Sequence, residues 1–482
     1  MPNPYADLDA TAQAQLVQDR SVKPEELVEA ALDAIDATAE LNAVIHRRDD
    51  RARREVASVD PSNQPFAGVP LVVKDLDGHL AGEQYHAGSR HLRDRGFVPE
   101  RTSELLARLQ RAGFVVVGKT NTPELGLLPS TEPLAYGAAH NPWDPTRTPG
   151  GSSGGSAALV AAGAVPVGHA GDGGGSIRIP ASFCGLVGHK PSRGRITLGP
   201  DETEAWGGLV SRLVVSRSVR DTASILDLAA GPMTGDPYSA PATPRSCSEA
   251  VAAPEQRLRI GWTTAAGDGS EVDPKVAAVV ERAAEAAEAM GHQVVEAAGF
   301  PMSDAALVQE MTGHFLTVYP VWTAQALDQF QQWTGEAPTA DTVEPHTWAL
   351  AELGRTVDAV TYAKGLDGLR SLSRRILAWW DDHDLLLTPT VGELPPVLGQ
   401  FGATADDPMA GVLRATPIVT FTIPFNITGQ PAASVPVGEV DGLPVGVQIV
   451  GGSSRDDLVL SLSAQFEAAL PWADRRPEVW AG

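Results

Sequence analysis

Residues 149–180 read PGGSSGGSAALVAAGAVPVGHAGDGGGSIRIP. They hold two serines set among glycines, Ser152 in GGSSGG and Ser176 in GGGSIR, with an apolar helical stretch between them. Glycine on both sides of a serine uncovers backbone N–H groups and permits turns that a Cβ would block. Oxyanions are stabilised by such N–H groups, so the pattern points to acyl transfer. GGSSGGS alone would suit a flexible linker. A linker would not run straight into the apolar SAALVAAG, for which Ser156 is the expected helix N-cap. Upstream, GVPLVVKDLDG places Lys74 after the apolar run 69–73, at a strand end from which a reactive side chain can project. Two serines and a lysine supply a nucleophile, a relay and a base.

Amide hydrolysis needs a nucleophile, a base for its proton, an acid for the leaving nitrogen and donors for the oxyanion. Lysine serves as base only when neutral, and burial favours that form. Asp75 and Asp77 flank Lys74 and oppose the shift, although strand alternation turns Asp75 away. A lone lysine here would be read as a surface lysine paired with Asp75; the two serine motifs reverse that reading. Three rival motifs fare worse. A P-loop needs Lys before Ser or Thr at the end of its glycine loop, and neither loop has it. The dinucleotide fingerprint fails at Ser176, where its last glycine should stand after Gly171 and Gly173. The nucleophile elbow GxSxG matches at Gly150–Ser152–Gly154, but the preceding HNPWDPTRTPG, with three prolines, is no central strand. That elbow remains the alternative, an esterase acylated on Ser152 with His314, His346 or His383 as base.

The chain has 482 residues, 43% apolar, with no low-complexity run, which fits a globular fold with a large core. A formal net charge of −23 argues against nucleic acid or anionic membrane as partner. Cys184 and Cys247 cannot make a disulfide framework. The N-terminus lacks a signal-peptide pattern and no run of about 18 apolar residues exists, so the expected location is the cytoplasm.

Periodicity predicts a helix over 25–45, a strand at 69–73, and helix then strand in SELLARLQRAG and FVVVGKT. The order recurs with LRIGW (258–262), a helix at 274–290 and HQVVEA (292–297). Residues 303–381 read as mostly helical and carry Trp322, Trp333, Trp348, Trp379 and Trp380, as core or as pocket walls. Strands return at DLLLTPT, PAASVPV and LPVGVQIVG before a closing helix at 456–469. The Pro/Ala/Ser-rich stretch 233–256 reads as a surface connection. The expected fold class is α/β, one large unit over 1–482.

At this point the residues resemble the amidase signature family over nearly the whole chain. The likeness is densest from Gly68 to Pro200, in GVPLVVKD, GKTNTPELG, HNPWDPTRTPGGSSGGSAALVAAG and DGGGSIRIPASFCGLVGHKPSRGRI, and returns in PFNITGQPAASVPVG and GLPVGVQIVGG. Within the family, DGGGSIRIPAS and KPSRGRI look closest to the 6-aminohexanoate-cyclic-dimer-hydrolase type, which has urethane-cleaving relatives. The resemblance implies a three-layer α/β/α domain with a mixed central sheet, and pocket-bordering helices within 303–381. It implies Ser176 as acyl-forming nucleophile, Ser152 on a cis peptide bond as proton relay, and Lys74 as base. The N–H groups of Gly173, Gly174, Gly175 and Ser176 would form the oxyanion hole. The substrate would be a small amide or carbamate, with no cofactor or metal, in a monomer or homodimer. A glutamine-dependent amidotransferase subunit shares the fold and triad; the negative charge and the Trp-rich middle segment disfavour it.

The family commonly reads GTDTGGS before the nucleophile, where this chain has Gly171 and Gly173 in place of two threonines. The expectation is intact backbone donors and a roomier acyl pocket. Arg178 is expected to pair with Asp172 and hold the loop. Cys184 reads as a small core residue following the strand-like SF. Asp381, Asp382, His383 and Asp384 read as a helix end rather than a metal site, since no metal-binding motif supports them.

Overall fold

In the computed structural model, which describes residues 2–297 and 299–482, one mixed sheet of 11 strands runs through the chain. In chain order the first six are β1 (Val44–Arg47), β2 (Pro70–Lys74), β3 (Val115–Thr120), β4 (Val167–Asp172), β5 (Val187–Lys190) and β6 (Ser211–Ser216). The rest are β7 (Arg259–Trp262), β8 (Gln293–Glu296), β9 (Leu385–Pro389), β10 (Ala432–Val440) and β11 (Leu443–Gly451). Their spatial order is β1-β3-β2-β4-β6-β5-β10-β11-β9-β7-β8. Strands β3, β2 and β4 are mutually parallel, whereas β4, β6, β5, β10, β11 and β9 alternate in direction.

Every residue of β2, β3, β4, β5, β6, β9 and β11 is buried, so helices cover both faces of the sheet. That is why these strands read as apolar runs rather than alternating patterns. The strands on either side of 233–256 lie in this same sheet, so that connection is no boundary. The connection also carries a short helix, Cys247–Ala252, started by a Ser246–Glu249 capping box.

Most expected elements are present, and the exceptions start with the first helix. The helix expected over 25–45 runs only from Pro24 to Ala37. A 3₁₀ turn follows, then Asn42 in left-handed backbone with φ 46°, and the chain continues as β1. Asn42 Nδ2 donates to the carbonyls of Tyr136 and Ala138, tying the break down. Leu41 and Ala43 are buried on both sides of it, so the apolar pattern runs on while the backbone changes. The second correction is at Ser156. The helix it was expected to cap starts at Gly154 after Ser153 and ends at Ala161. Ser156 lies inside it, its hydroxyl between Thr120 Oγ1 and the His169 carbonyl, both at 2.8 Å.

The middle segment forms three helices, Ala305–Thr334, Pro345–Arg355 and Ala359–Leu377. The first two stand over the edge of the sheet where β2 and β4 end, and line a cavity of about 1330 Å³. Among the described residues, no helix is long and apolar enough to cross a membrane.

Candidate active site

Parallel pairing of β2 and β4 brings Lys74 and Asp172, each the last residue of its strand, to one edge of the sheet. Ligands of open α/β sheets bind at such carboxyl ends. Lys74 is 1% exposed, and its Nζ lies 2.8 Å from Ser152 Oγ and 3.4 Å from the Gly171 carbonyl oxygen. Burial pushes Lys74 down from 10.5 to about 8, against Asp77 and Asp172, which raise it. Asp75 faces elsewhere, with its carboxylate 2.5 Å from Lys119 Nζ.

Ser152 follows a cis Gly151–Ser152 peptide bond, and its carbonyl accepts from Thr122 Oγ1 at 2.8 Å. The glycines around it are there for close approach, not flexibility. A Cβ on Gly151 would stand 2.7 Å from the Ser130 backbone nitrogen, and one on Gly155 2.6 Å from that of Asn121. Gly155→Ala is expected to destabilise the protein by about 1–3 kcal/mol, because backbone rather than a movable side chain must give way. Guanidinium unfolding of the two proteins measures it.

The loop after β4 carries Ser176 into the helix Arg178–Cys184. It is anchored by Asp172, whose carboxylate accepts from the backbone N–H of Gly175 (2.8 Å) and Ile177 (3.1 Å) and from Arg178 Nε and Nη2 (2.9 Å each). Burial would raise the Asp172 pKa, but Arg178 holds it well below the usual carboxylate range. Arg178 and Asp172 are both fully buried, so the pairing expected from sequence is present. Arg178→Ala leaves an uncompensated buried carboxylate and should cost about 3–5 kcal/mol in the same unfolding assay.

Of the four expected oxyanion donors, Gly175 is engaged with Asp172. The N–H groups of Gly173, Gly174 and Ser176 have no protein acceptor among the described residues. Ser176 is half-buried and lines the cavity together with Lys74, Ser152, Gly171, Gly173 and Gly174. The roomier pocket expected at the two missing threonines is only partly present. A Cβ on Gly171 would meet Asp77 Oδ2 at 2.2 Å, and one on Gly173 would meet the Trp206 ring at 3.1 Å. The space has been given to other side chains.

The cavity walls are aromatic. Trp206, Phe315, Tyr319 and Trp322 line one side, and His79, Tyr85, Phe97 and Trp333 the other. Trp206 lies parallel to Trp322 with ring centroids 6.1 Å apart. Of the five tryptophans singled out, Trp322 and Trp333 reach the cavity; Trp348 packs against the apolar cluster that contains Phe330, while Trp379 and Trp380 pack on Phe300. Trp206, Phe97 and His79 were not legible as wall residues, since they come from loops whose course no periodicity reveals.

The elbow alternative finds no support. As HNPWDPTRTPG implied, no strand leads into Ser152, and none of His314, His346 or His383 lines the cavity. His383 stacks on Trp379 at 3.7 Å and Asp384 pairs with Arg259 at 3.0 Å, as a helix end would have it. Cys184 is buried, at the end of a helix rather than after a strand, and burial pushes its thiol above the ordinary range. Among the described residues, one group could hold a metal ion, His46, Asp75 and His86, with donor atoms within 4.8 Å. There Asp75 already faces the Lys119 ammonium, and His46 Nε2 lies 3.1 Å from His86 Nδ1.

A family model described as Amidase matches residues 26–460. The chain belongs to the amidase family. It is therefore a hydrolase of C–N bonds. It is 38% identical to the 6-aminohexanoate-cyclic-dimer hydrolase of Pseudomonas sp. (strain NK87), over 98% of this chain and 96% of that one. A solved structure of 6-aminohexanoate cyclic dimer hydrolase complexed with substrate matches this amidase with a TM-score of 0.93 at 37% identity, covering 98% of this chain and 99% of that one. A bacterial aryl acylamidase of the amidase signature family matches with a TM-score of 0.85 at 27% identity, covering 96% of each chain.

Proposed function

We propose that this amidase cleaves carboxylic amides, cyclic and aryl amides and carbamates among them, through an acyl-enzyme on Ser176. The observation that carries the reading is the buried 2.8 Å contact between Lys74 Nζ and Ser152 Oγ, in a cavity that Ser176 also lines. Neutral Lys74 takes the Ser152 hydroxyl proton, and Ser152 takes that of Ser176 as the Ser176 oxygen attacks the carbonyl carbon. The tetrahedral oxyanion is held by the N–H groups of Gly173, Gly174 and Ser176. The proton then returns through Ser152 to the departing nitrogen, and water hydrolyses the ester. A protonated Lys74 cannot accept, so activity should rise with pH and level off above about 8.

The substrate class follows from the walls and from the relatives. The cavity, at about 1330 Å³, exceeds the roughly 300–1,000 Å³ usual for a drug-sized ligand, and its aromatic sides suit flat or ring-shaped acyl groups. Incubation with 6-aminohexanoate cyclic dimer, an aryl amide and an aryl carbamate, with products followed by mass spectrometry, tests it. Turnover of at least one cyclic or aryl substrate, lost in Ser176→Ala, supports the reading. Turnover confined to short unbranched aliphatic amides contradicts it.

A further inference from the structure

We propose that Asp77 is a positioning residue for the base, its carboxylate filling the space beside Gly171 and setting the pH range over which Lys74 takes up a proton. The inference rests on Lys74 being the base. Asp77 sits three residues beyond Lys74 in left-handed backbone, φ 65°, which turns the chain back over the end of β2. Its Oδ2 is 4.0 Å from Lys74 Nζ. The same oxygen would be 2.2 Å from a Cβ at position 171, so a side chain there and this carboxylate exclude each other. Where the resembling motif has a threonine, this chain has glycine and an acid in its place.

The other charged and titratable groups near the Lys74 ammonium are accounted for. On β4, Asp172 is paired with Arg178 and raises Lys74 less than Asp77 does, and burial pushes His169 down to about 3, so it stays neutral. On β6, Arg212 donates to Asp77 Oδ1 at 3.0 Å and is also paired with Glu202. On β3, Lys119 is turned to Asp75. Asp77 is thus an anion without a backbone-capping duty like that of Asp172, held at the base by Arg212.

Its charge does two things in the reaction. When the proton passes from Ser176 through Ser152 to Lys74, the ammonium formed gains a counter-charge, which strengthens the base. The same charge keeps more Lys74 protonated at low pH, moving the onset of activity upward. Removing it should lower the plateau and shift the acid limb toward lower pH, two changes that a loss of packing would not combine.

The test is the second-order rate of phosphonylation of the full-length enzyme by a fluorophosphonate probe, measured against pH. The proteins are wild type, Asp77→Asn, Asp77→Ser as a smaller neutral replacement, and Lys74→Met, with thermal melts to show each is folded. In both Asp77 variants the acid limb should fall by about one pH unit or more, with a plateau below wild type. An unmoved limb in either folded variant overturns the proposal, whether the rate is unchanged or falls equally at every pH. A wild-type limb that persists in Lys74→Met would instead show that Lys74 is not the base, and both readings would fall.

Discussion

Ser176→Ala should lower kcat/KM for an amide substrate by about ten-thousand-fold or more and abolish covalent trapping by serine-directed probes, while leaving the fold intact. Ser176 is half-buried on a cavity wall, and its hydroxyl has no hydrogen-bond partner among the described residues. Its removal therefore deletes chemistry and little packing. Donors and binding contacts that remain give a residual rate of about 10³–10⁴ over water, as in other acyl-transfer sites. Thermal unfolding of the variant should stay within a few degrees of wild type. A variant that keeps more than a tenth of the wild-type kcat/KM would remove Ser176 from the reaction.

Lys74→Met should cost about a hundred- to ten-thousand-fold in kcat/KM, and the loss should depend on pH in a way that identifies the base. In the wild type only the neutral amine can accept a proton. Below about 8 its fraction falls, so kcat/KM should drop tenfold per pH unit toward acid and flatten above that value. Methionine keeps the length and apolar character of the stem but has no basic nitrogen, so the variant's profile should be flat across this window. Asp77 keeps Arg212 as its partner when the Lys74 nitrogen is removed, so the variant should stay folded. Loss of activity with an unchanged limb would assign the titration to another group.

Much of the fold was legible because its core strands are buried on both faces and so appear as short apolar runs between glycine and proline signals. The helix expected to reach 45 shows the limit. Apolar residues continue through Leu41 and Ala43 into an edge strand, and the break depends on Asn42 finding the carbonyls of Tyr136 and Ala138, about a hundred residues away in sequence. Ser156 has the composition of a cap, but the helix begins two residues earlier, at Gly154, where a Cβ on Gly154 or Gly155 would meet Thr131 or Asn121.

The site divides in the same way. Lys74, Ser152 and Ser176 stand out because each follows a glycine or an apolar run that has no other evident purpose. Arg178 and Asp172 could be paired from sequence because six residues across a tight loop bring them together. The engagement of the Gly175 N–H was hidden, since loop geometry decides which donors an aspartate takes. So was the close approach of Asp77 to Gly171, which only spatial neighbours reveal. Trp206 belongs to a turn at 206–208 that no pattern ties to Gly173.

The most direct test of the account is the site of covalent attachment. The full-length enzyme is treated with a fluorophosphonate probe, digested, and the labelled peptide sequenced by mass spectrometry, alongside Lys74→Met treated for the same time. One adduct is expected, on Ser176, with labelling of the Lys74 variant strongly slowed. An adduct on Ser152 with Ser176 unmodified would contradict it.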